Sequence, residues 1–425
     1  MPTTLLADLT PLRESPDYRR LWTGLALGNL GQHLAVVAIG LQVYDITRSS
    51  SAVGLLGLAG LVPLVVLGLY GGSLVDAHDR RTVALWSSAC IWLVAVATAA
   101  QAWLGVRSAP LLYLLVALQS AAFAVGTPAR AAILPRLVRR ELLPAANALQ
   151  TLSWTAGMAV GPLLGGLLVA GHGYAWAYTV DALTFVPALW AVWRLPAMPP
   201  EGEVRRAGLA SVLEGLRFLG TRPNLRMTFL VDLAAMVFAM PRALFPAIGT
   251  VVIGGGATTA GILLSSVAAG SMLAGVLSGR LGRVRRQGLA VLVCVVAWGA
   301  AIVGFGLVVV AAGRAPADGG PSVWLWPAAA LLVLSGAADA VSAVFRMTIL
   351  QAATPDALRG RLQGVFIVVV AGGPRLGDVV LGSGGDLLGE GRAAVFGGLA
   401  CVLAVLVLAR VQPRFRHYDA DDPRP

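Results

Sequence analysis

The chain has 425 residues, 57% of them hydrophobic and only 12% charged, about half the charged share usual for a soluble domain. Its 32 basic residues are all arginine and outnumber the 21 acidic ones, for a formal net charge of +11. Without lysine there is no Walker lysine, which excludes an ATP-driven pump of the P-loop kind. No His-Glu-x-x-His, Cys-x-x-Cys or Gly-x-Ser-x-Gly constellation suggests an enzyme.

The apolar residues fall in blocks long enough to cross roughly 30 Å of hydrocarbon as helices. In chain order the first six run over Leu21–Tyr44, Val53–Val75, Val83–Gly105, Pro110–Pro128, Ala145–Ala170 and Tyr174–Trp193. The second six run over Thr228–Ile253, Thr259–Gly279, Gly288–Ala312, Trp324–Phe345, Leu362–Gly384 and Ala393–Ala409. The leading segment carries Asp8, Arg13 and Glu14 and no signal-peptide core, so the first span is expected to act as an uncleaved insertion signal. Cys90, Cys294 and Cys401 all lie within spans and read as small apolar residues with no disulfide.

Arginine placement orients the chain. With both termini in the cytoplasm, 26 arginines fall in cytoplasmic segments, four (Arg48, Arg107, Arg314, Arg392) in external ones, and two (Arg242, Arg375) inside spans. The positive charge is thus a topology signal and a match to anionic lipid head groups, and nucleic acid need not be invoked.

The two halves repeat at constant spacing. An offset of 207 pairs Pro16 with Pro223, Arg19 with Arg226, Gly54 with Gly261, Gly72 with Gly279 and Leu74 with Leu281. Further along, an offset of 216 pairs Arg130 with Arg346, Ile133 with Ile349, Asn147 with Gln363, and Gly157 and Gly161 with Gly373 and Gly377. The expected organisation is a bundle over 1–195, a linker over 196–223 with an amphipathic helix at the inner membrane face, and a bundle with a cytoplasmic tail over 224–425.

Several motifs carry chemistry. In GGSLVDAHDRR, Gly72 lets helices approach, Asp76 can accept from a helix N-terminus or an arginine, and Arg80 and Arg81 can anchor to lipid phosphate. The loop serves either as a latch made in one conformational state and broken in the other, or as a topogenic segment. Arg130, at the inner end of the fourth span, is a partner for Asp76, a partner for a substrate anion, or a positive-inside anchor. Gly157, Gly161 and Gly165 form a bare stripe on the fifth span, with Pro162 removing one backbone hydrogen bond. Ser271, Gly275 and Gly279 offer a matching stripe on the eighth.

Seven ionisable residues lie inside spans: His33, Asp181, Asp232, Arg242, Asp339, Arg375 and Asp378. Each should face a partner or a cavity, because a charge at the bilayer centre costs at least about 2.5 kcal/mol. Arg375 and Asp378, three apart, can pair on one helix face, with Arg242 at similar depth. Asp378, Asp339, Asp232, Arg375 and Arg242 are the proton-coupling candidates; Asp181 reads as structural. Asn29, Gln32 and His33 form a polar patch on the first span that suits a substrate-facing surface, and Trp22, Phe123, Trp154 and Phe238 would supply apolar cavity walls.

These motifs carry a resemblance over nearly the whole chain. GGSLVDAHDRR resembles the Gly-x-Leu-x-Asp-x-x-x-Arg-Arg signature of the major facilitator superfamily, with Ala77 where a basic residue is usual and Asp79 where a glycine is. Its repeat, GRLGRVRR, keeps Gly279 and Leu281 but has Arg283 opposite Asp76. GTPARAAILPRLVRRELLPAANALQ (126–150) is similar to the matching segment of the enterobactin-exporter and macrolide-efflux branch, and GMAVGPLLGG resembles the antiporter signature of the fifth helix. The resemblance implies an all-α polytopic membrane protein, twelve transmembrane helices in two pseudo-symmetric bundles. It also implies export of a siderophore or similar amphipathic small molecule by alternating access with proton antiport, or else macrolide or multidrug efflux. A passive channel or a non-transporting scaffold is the rival class, and duplicated halves with scattered buried charges favour alternating access over a pore. The expected partners are a small-molecule substrate, protons and membrane lipids, with no cofactor or metal, in a monomer in the plasma membrane.

Overall fold

The computed structural model describes residues 8–199, 217–313, 320–353 and 356–419; the side chains of 69–76, 280, 282–283, 356–368 and 371 lie outside that description. Most of the predicted amphipathic linker helix (200–216) therefore falls outside it. The long helices are α1 (Pro16–Thr47), α2 (Ser50–Ala77), α3 (Arg80–Trp103), α4 (Ala109–Leu137), α5 (Leu143–His172) and α6 (Tyr174–Trp193). They continue with α7 (Pro223–Phe238), α8 (Gly256–Val276), α9 (Gln287–Ala312), α10 (Leu325–Ala352), α11 (Asp356–Leu388) and α12 (Glu390–Val411). Along the described residues, eleven spans are long and apolar enough to cross a bilayer, and the 33-residue α11 occupies the place of the remaining predicted one.

Single glycines reverse the chain where helices follow at once. Gly173 (φ 82°) alone separates α5 from α6, and Gly389 (φ 84°) alone separates α11 from α12. The two are mates at the 216 offset, and the left-handed conformation each needs is one that glycine adopts without steric cost.

The chain forms two compact units, Met1–Gln42 with Ala59–Gly208, and Val43–Leu58 with Leu209–Pro425. In the first, the Gly157–Gly165 stripe of α5 packs on α1. A Cβ on Gly161 would lie 2.7 Å from the Cβ of His33 and 2.9 Å from the Leu30 carbonyl oxygen, and one on Gly165 2.6 Å from the Leu34 oxygen. The same helix pair is tied by Tyr18 Oη donating to the Ala146 carbonyl (2.9 Å) and Trp22 Nε1 donating to the Leu149 carbonyl (3.0 Å). Of the stripe expected on the eighth span, Ser271 Oγ donates to the Gly336 carbonyl (3.1 Å), and around Gly275 and Gly279 nothing among the described residues comes within 4 Å of a Cβ position. Pro162 sits buried inside a continuous α5. Where α1, α3 and α6 meet, Tyr178 Oη donates to Gln42 Oε1 (2.7 Å) and the Gln42 and Gln101 amides exchange bonds (3.2 and 3.4 Å), so this buried polar trio is self-satisfied.

The second unit repeats the glycine contact on different chemistry. Gly373 and Gly377 of α11 pack on Met236 and Val237 of α7, and the 207 offset carries Asn29 and Leu30 onto those two residues. One helix turn on, the repeat has Pro241 in place of Leu34, and the span predicted as Thr228–Ile253 is broken there. After Phe238 it resumes as a 3-10 turn (Arg242–Leu244), a short α turn (Phe245–Ala247) and a π turn (Ile248–Val252). Proline cannot continue an α-helical bond ladder, and backbone groups freed in hydrocarbon must be satisfied by a neighbour. Trp298 of α9 does this, its Nε1 donating to the Ala239 carbonyl at 2.9 Å.

The segment Val43–Leu58 belongs to the second unit through Asp386, near the end of α11. The Asp386 carboxylate accepts from the Ser50 and Ser51 amides (2.7 and 3.1 Å) and from the Ser49 and Ser51 hydroxyls (2.6 and 2.5 Å), satisfying the open start of α2. Gly382 allows the approach, since a Cβ there would lie 2.5 Å from the Ser50 oxygen. Burial pushes the Asp386 carboxyl upward, but these four hydrogen bonds outweigh it and hold the group below its ordinary 3.8.

Two outcomes follow. Gly161→Leu should lower thermal stability by about 1–3 kcal/mol through overpacking, whereas Gly275→Ala, in open space, should leave the melting temperature level or slightly raised; scanning both in detergent checks this. Because the Asp386 carboxyl is lowered on folding, its contribution is complete above the unfolded value and lost as pH falls through the folded one. Asp386→Ala should therefore cost about 0.5–2 kcal/mol at neutral pH and show a smaller further loss than the parent below about pH 4, read from melting temperatures across pH.

Candidate functional site

The loop between α2 and α3 is held by Asp79, two residues beyond the end of α2. Asp79 caps α3, accepting from the Thr82 amide (2.9 Å), and also accepts from the Met198 amide (2.6 Å), while the Arg80 amide donates to the Met198 carbonyl (3.0 Å). Arg81 Nη2 donates to the Trp193 carbonyl (2.6 Å), one of the orphan acceptors at the end of α6. Burial raises the Asp79 carboxyl, and the hydrogen bonds from Thr82, Met198 and Arg81 bring it below the usual carboxylate range. The clasp thus runs through Asp79, Arg80 and Arg81 to the chain after α6. Gly72 and the Asp76 side chain lie outside the described residues. The signal for Asp79 was the departure from glycine at its position in the motif.

In the first unit, the polar patch of α1 faces α5. His33 meets Trp154 edge to face (ring centroids 5.0 Å apart), and its buried Nε2 has no hydrogen-bond partner. Asn29 Nδ2 reaches Ser153 Oγ at 3.4 Å, and Gln32 beside them is half-buried. Trp154 lies near Phe123 of α4 (6.4 Å), and the Arg130 guanidinium sits over that Phe123 ring, 5.7 Å from its centroid. Asp181 is buried on α6 beside Gly31 of α1.

The second unit gathers its charges into two clusters. Arg346 of α10 is 5% exposed and contacts Asp232 of α7 (Nη1 to Oδ1, 2.8 Å) and Asp339 of α10 (Nη2 to Oδ1, 3.4 Å). The Asp232 contact is close in distance, but its N–H is not aimed at the oxygen, so it is an ion pair without a good hydrogen bond. In the second cluster, Asp378 takes Arg242 across from the broken α7 (Nη2 to Oδ2, 2.9 Å). The i, i+3 spacing predicted an Arg375–Asp378 pair along α11 that Arg242 could join, and the break in α7 brings Arg242 to that carboxylate. Arg375 lies where α2 crosses, with its Cα 3.2 Å from a Cβ position on Gly57.

Three contributors escaped the reading of isolated motifs. Arg346 was visible only as the repeat mate of Arg130, while Asp386 and Trp298 find their partners far along the chain and leave no local signal. Among the described residues no group of three His, Cys, Asp or Glu is placed to hold a metal ion.

This geometry can be set beside known proteins. The chain matches the family described as transmembrane secretion effector over residues 6–425. The enterobactin exporter EntS of Citrobacter koseri is 30% identical over 422 residues, covering 99% of this chain and 97% of that protein. EntS of Escherichia coli is 29% identical over 421 residues with the same coverage. Among solved structures, the nucleoside transporter NupG superposes with a TM-score of 0.74 at 12% identity, over 93% of this chain and 99% of that one. A bacterial homologue of the iron transporter ferroportin, in an inward-facing state, gives 0.71 at 16% identity over 94% and 98%. These structural likenesses establish the fold; the sequence match, running from residue 6 to the last, establishes descent. The chain belongs to the transmembrane secretion effector family of the major facilitator superfamily, and is a multi-pass membrane transporter in the same branch as the enterobactin exporters.

Proposed function

We propose that this protein is a secondary exporter of a siderophore of the enterobactin kind, or a similar amphipathic small molecule, working by alternating access and driven by proton antiport. The named relatives support the cargo class, since enterobactin exporters align with 99% of the chain. Their name speaks for a small-molecule cargo leaving the cell, and the arginine distribution supports a plasma-membrane protein with both termini inside.

One observation carries the coupling: the buried Asp232–Arg346–Asp339 cluster. Two carboxylates share one guanidinium, so the group carries a net charge of −1 when both are ionised, and one bound proton makes it neutral. A low-dielectric site favours the neutral arrangement. The Asp339 side chain is 27% exposed against 3% for Asp232, which favours Asp339 as the more accessible carboxylate and the point of proton entry. A change of state that moved Arg346 away from Asp339 would alter that carboxylate's hold on the proton, which links proton movement to conformation. The Arg242–Asp378 pair is already neutral, and Arg375 nearby adds positive charge, so this cluster suits a static brace better than a proton carrier.

Asp339→Asn should insert and fold yet lose proton-driven export, while exchange of labelled cargo down its own gradient persists; proteoliposomes with an imposed pH gradient check this, and unchanged uphill export would take Asp339 out of the mechanism. For the cargo, medium and cell extracts of strains with and without the gene should be compared by mass spectrometry under iron limitation. The expected result is a siderophore depleted outside and accumulated inside the strain lacking the gene. No change in siderophore, together with lowered macrolide resistance, would point to drug efflux.

A further inference from the structure

The internal repeat places the same arginine in both halves but surrounds it differently. The 216 offset carries Arg130 onto Arg346 and Phe123 onto Asp339, and the 207 offset carries Leu25 onto Asp232. Where Arg346 has two carboxylates, Arg130 has an aromatic ring and an aliphatic side chain. Among the described residues no carboxylate lies within ion-pair distance of Arg130, and its one described interaction is the stack on Phe123. Gly126 gives the guanidinium its space, since a Cβ there would lie 2.9 Å from Arg130 Nη1.

The space next to this arginine is small and walled mostly by apolar side chains, with a few polar groups among them. A cavity of about 20 Å³ lies between α1, α4 and α5, with Arg130, Leu25, Asn29, Gln150 and Ser153 on its wall. That is room for a group about the size of a water molecule, such as the oxygen end of an acid. The polar atoms of Tyr18 and Trp22, on the same wall, are already committed to the carbonyls of Ala146 and Leu149. Arg130, the Gln150 amide and the second N–H of the Asn29 amide, whose other N–H reaches Ser153 Oγ, remain as donors, a set that complements an acceptor carrying negative charge. His33 Nε2, a turn further along α1 from Asn29, is also buried without a partner.

We propose that Arg130 is the anion-binding group of the transported molecule, holding a carboxylate or phenolate of the cargo in this cavity, whereas its repeat mate Arg346 holds Asp232 and Asp339. The assignment rests on the export reading for the identity of the cargo. An arginine fork binds a carboxylate through two parallel N–H bonds, and the Phe123 face supports the guanidinium when the anion is absent. The two arginines thereby divide the work: Arg346 meets internal carboxylates, and Arg130 meets one brought by the cargo.

The test uses the purified full-length protein in detergent, with benzoate as the anionic probe and benzamide as its neutral counterpart, read by thermal shift. A bound ligand raises the melting temperature in proportion to its occupancy of the folded state. Benzoate should raise it, benzamide should not, and added salt should shrink the benzoate shift. Arg130→Gln should abolish the shift and Arg130→Lys should keep part of it. Leu25→Asp supplies the internal counter-ion that Arg346 finds in Asp232 and should abolish benzoate binding without loss of fold; it decides the matter if Arg130→Gln proves unstable. Equal shifts from benzoate and benzamide, or an undiminished benzoate shift in Leu25→Asp, would overturn the proposal. Siderophore levels in strains carrying the parent and Leu25→Asp form a separate arm. Benzoate binding that depends on Arg130 in a protein that exports no siderophore would keep the anion site and discard the export reading. Siderophore export unaffected by Leu25→Asp would do the opposite.

Discussion

Hydrocarbon gives no help to a charge or to an unpaired backbone group, and this chain is organised around that demand. Where α7 breaks before Pro241, the freed Ala239 carbonyl takes the Trp298 indole, and the arginine just past the break takes Asp378. The start of α2, four amides short of partners like any helix, is closed by Asp386 of α11. The polar side chains where α1, α3 and α6 meet satisfy one another through Gln42, Gln101 and Tyr178. Each of these is a local debt created by sequence and settled by a residue from another helix.

Duplication lets one packing solution carry two chemistries. The glycines at 157 and 161 bring α5 onto α1, and their mates at 373 and 377 bring α11 onto the repeat mate of α1. Close backbone approach is all a glycine stripe requires of its partner, so the residues between the glycines were free to diverge. Pro162 in one half stands opposite Asp378 in the other, and Phe123 and Leu25 stand opposite Asp339 and Asp232. One half thus holds compensated charge inside its own bundle, and the other holds an arginine facing aromatic and amide groups.

Much of the fold was legible because its signals are local. Apolar length marks a span, constant offsets mark the repeat, and a four-residue glycine period marks a bare helix face. The site was legible only in its inventory. Asp232, Asp339, Arg242 and Asp378 stood out because charge is rare in spans, but which carboxylate met which arginine depended on the break in α7. The Arg375–Asp378 spacing suggested a pair along one helix, and the bent α7 brought Arg242 to Asp378 from outside it. Asp79 was noticed as a departure from a motif, without any sign that it would cap α3 and hold Met198.

By itself the sequence determined what each segment must do in a bilayer: where it spans, where its arginines hold it, which faces are bare, and which residues need partners. Those properties follow from composition and periodicity within some twenty residues, the length of one crossing. Only the tertiary structure decided the pairings. It set Arg346 between Asp232 and Asp339, brought Asp386 to the start of α2 across 336 residues, and put the glycine stripe of α5 on α1. The reason is physical: an ion pair or a close helix contact is fixed by distances of a few ångströms between segments remote in the chain, and no local pattern encodes such a distance.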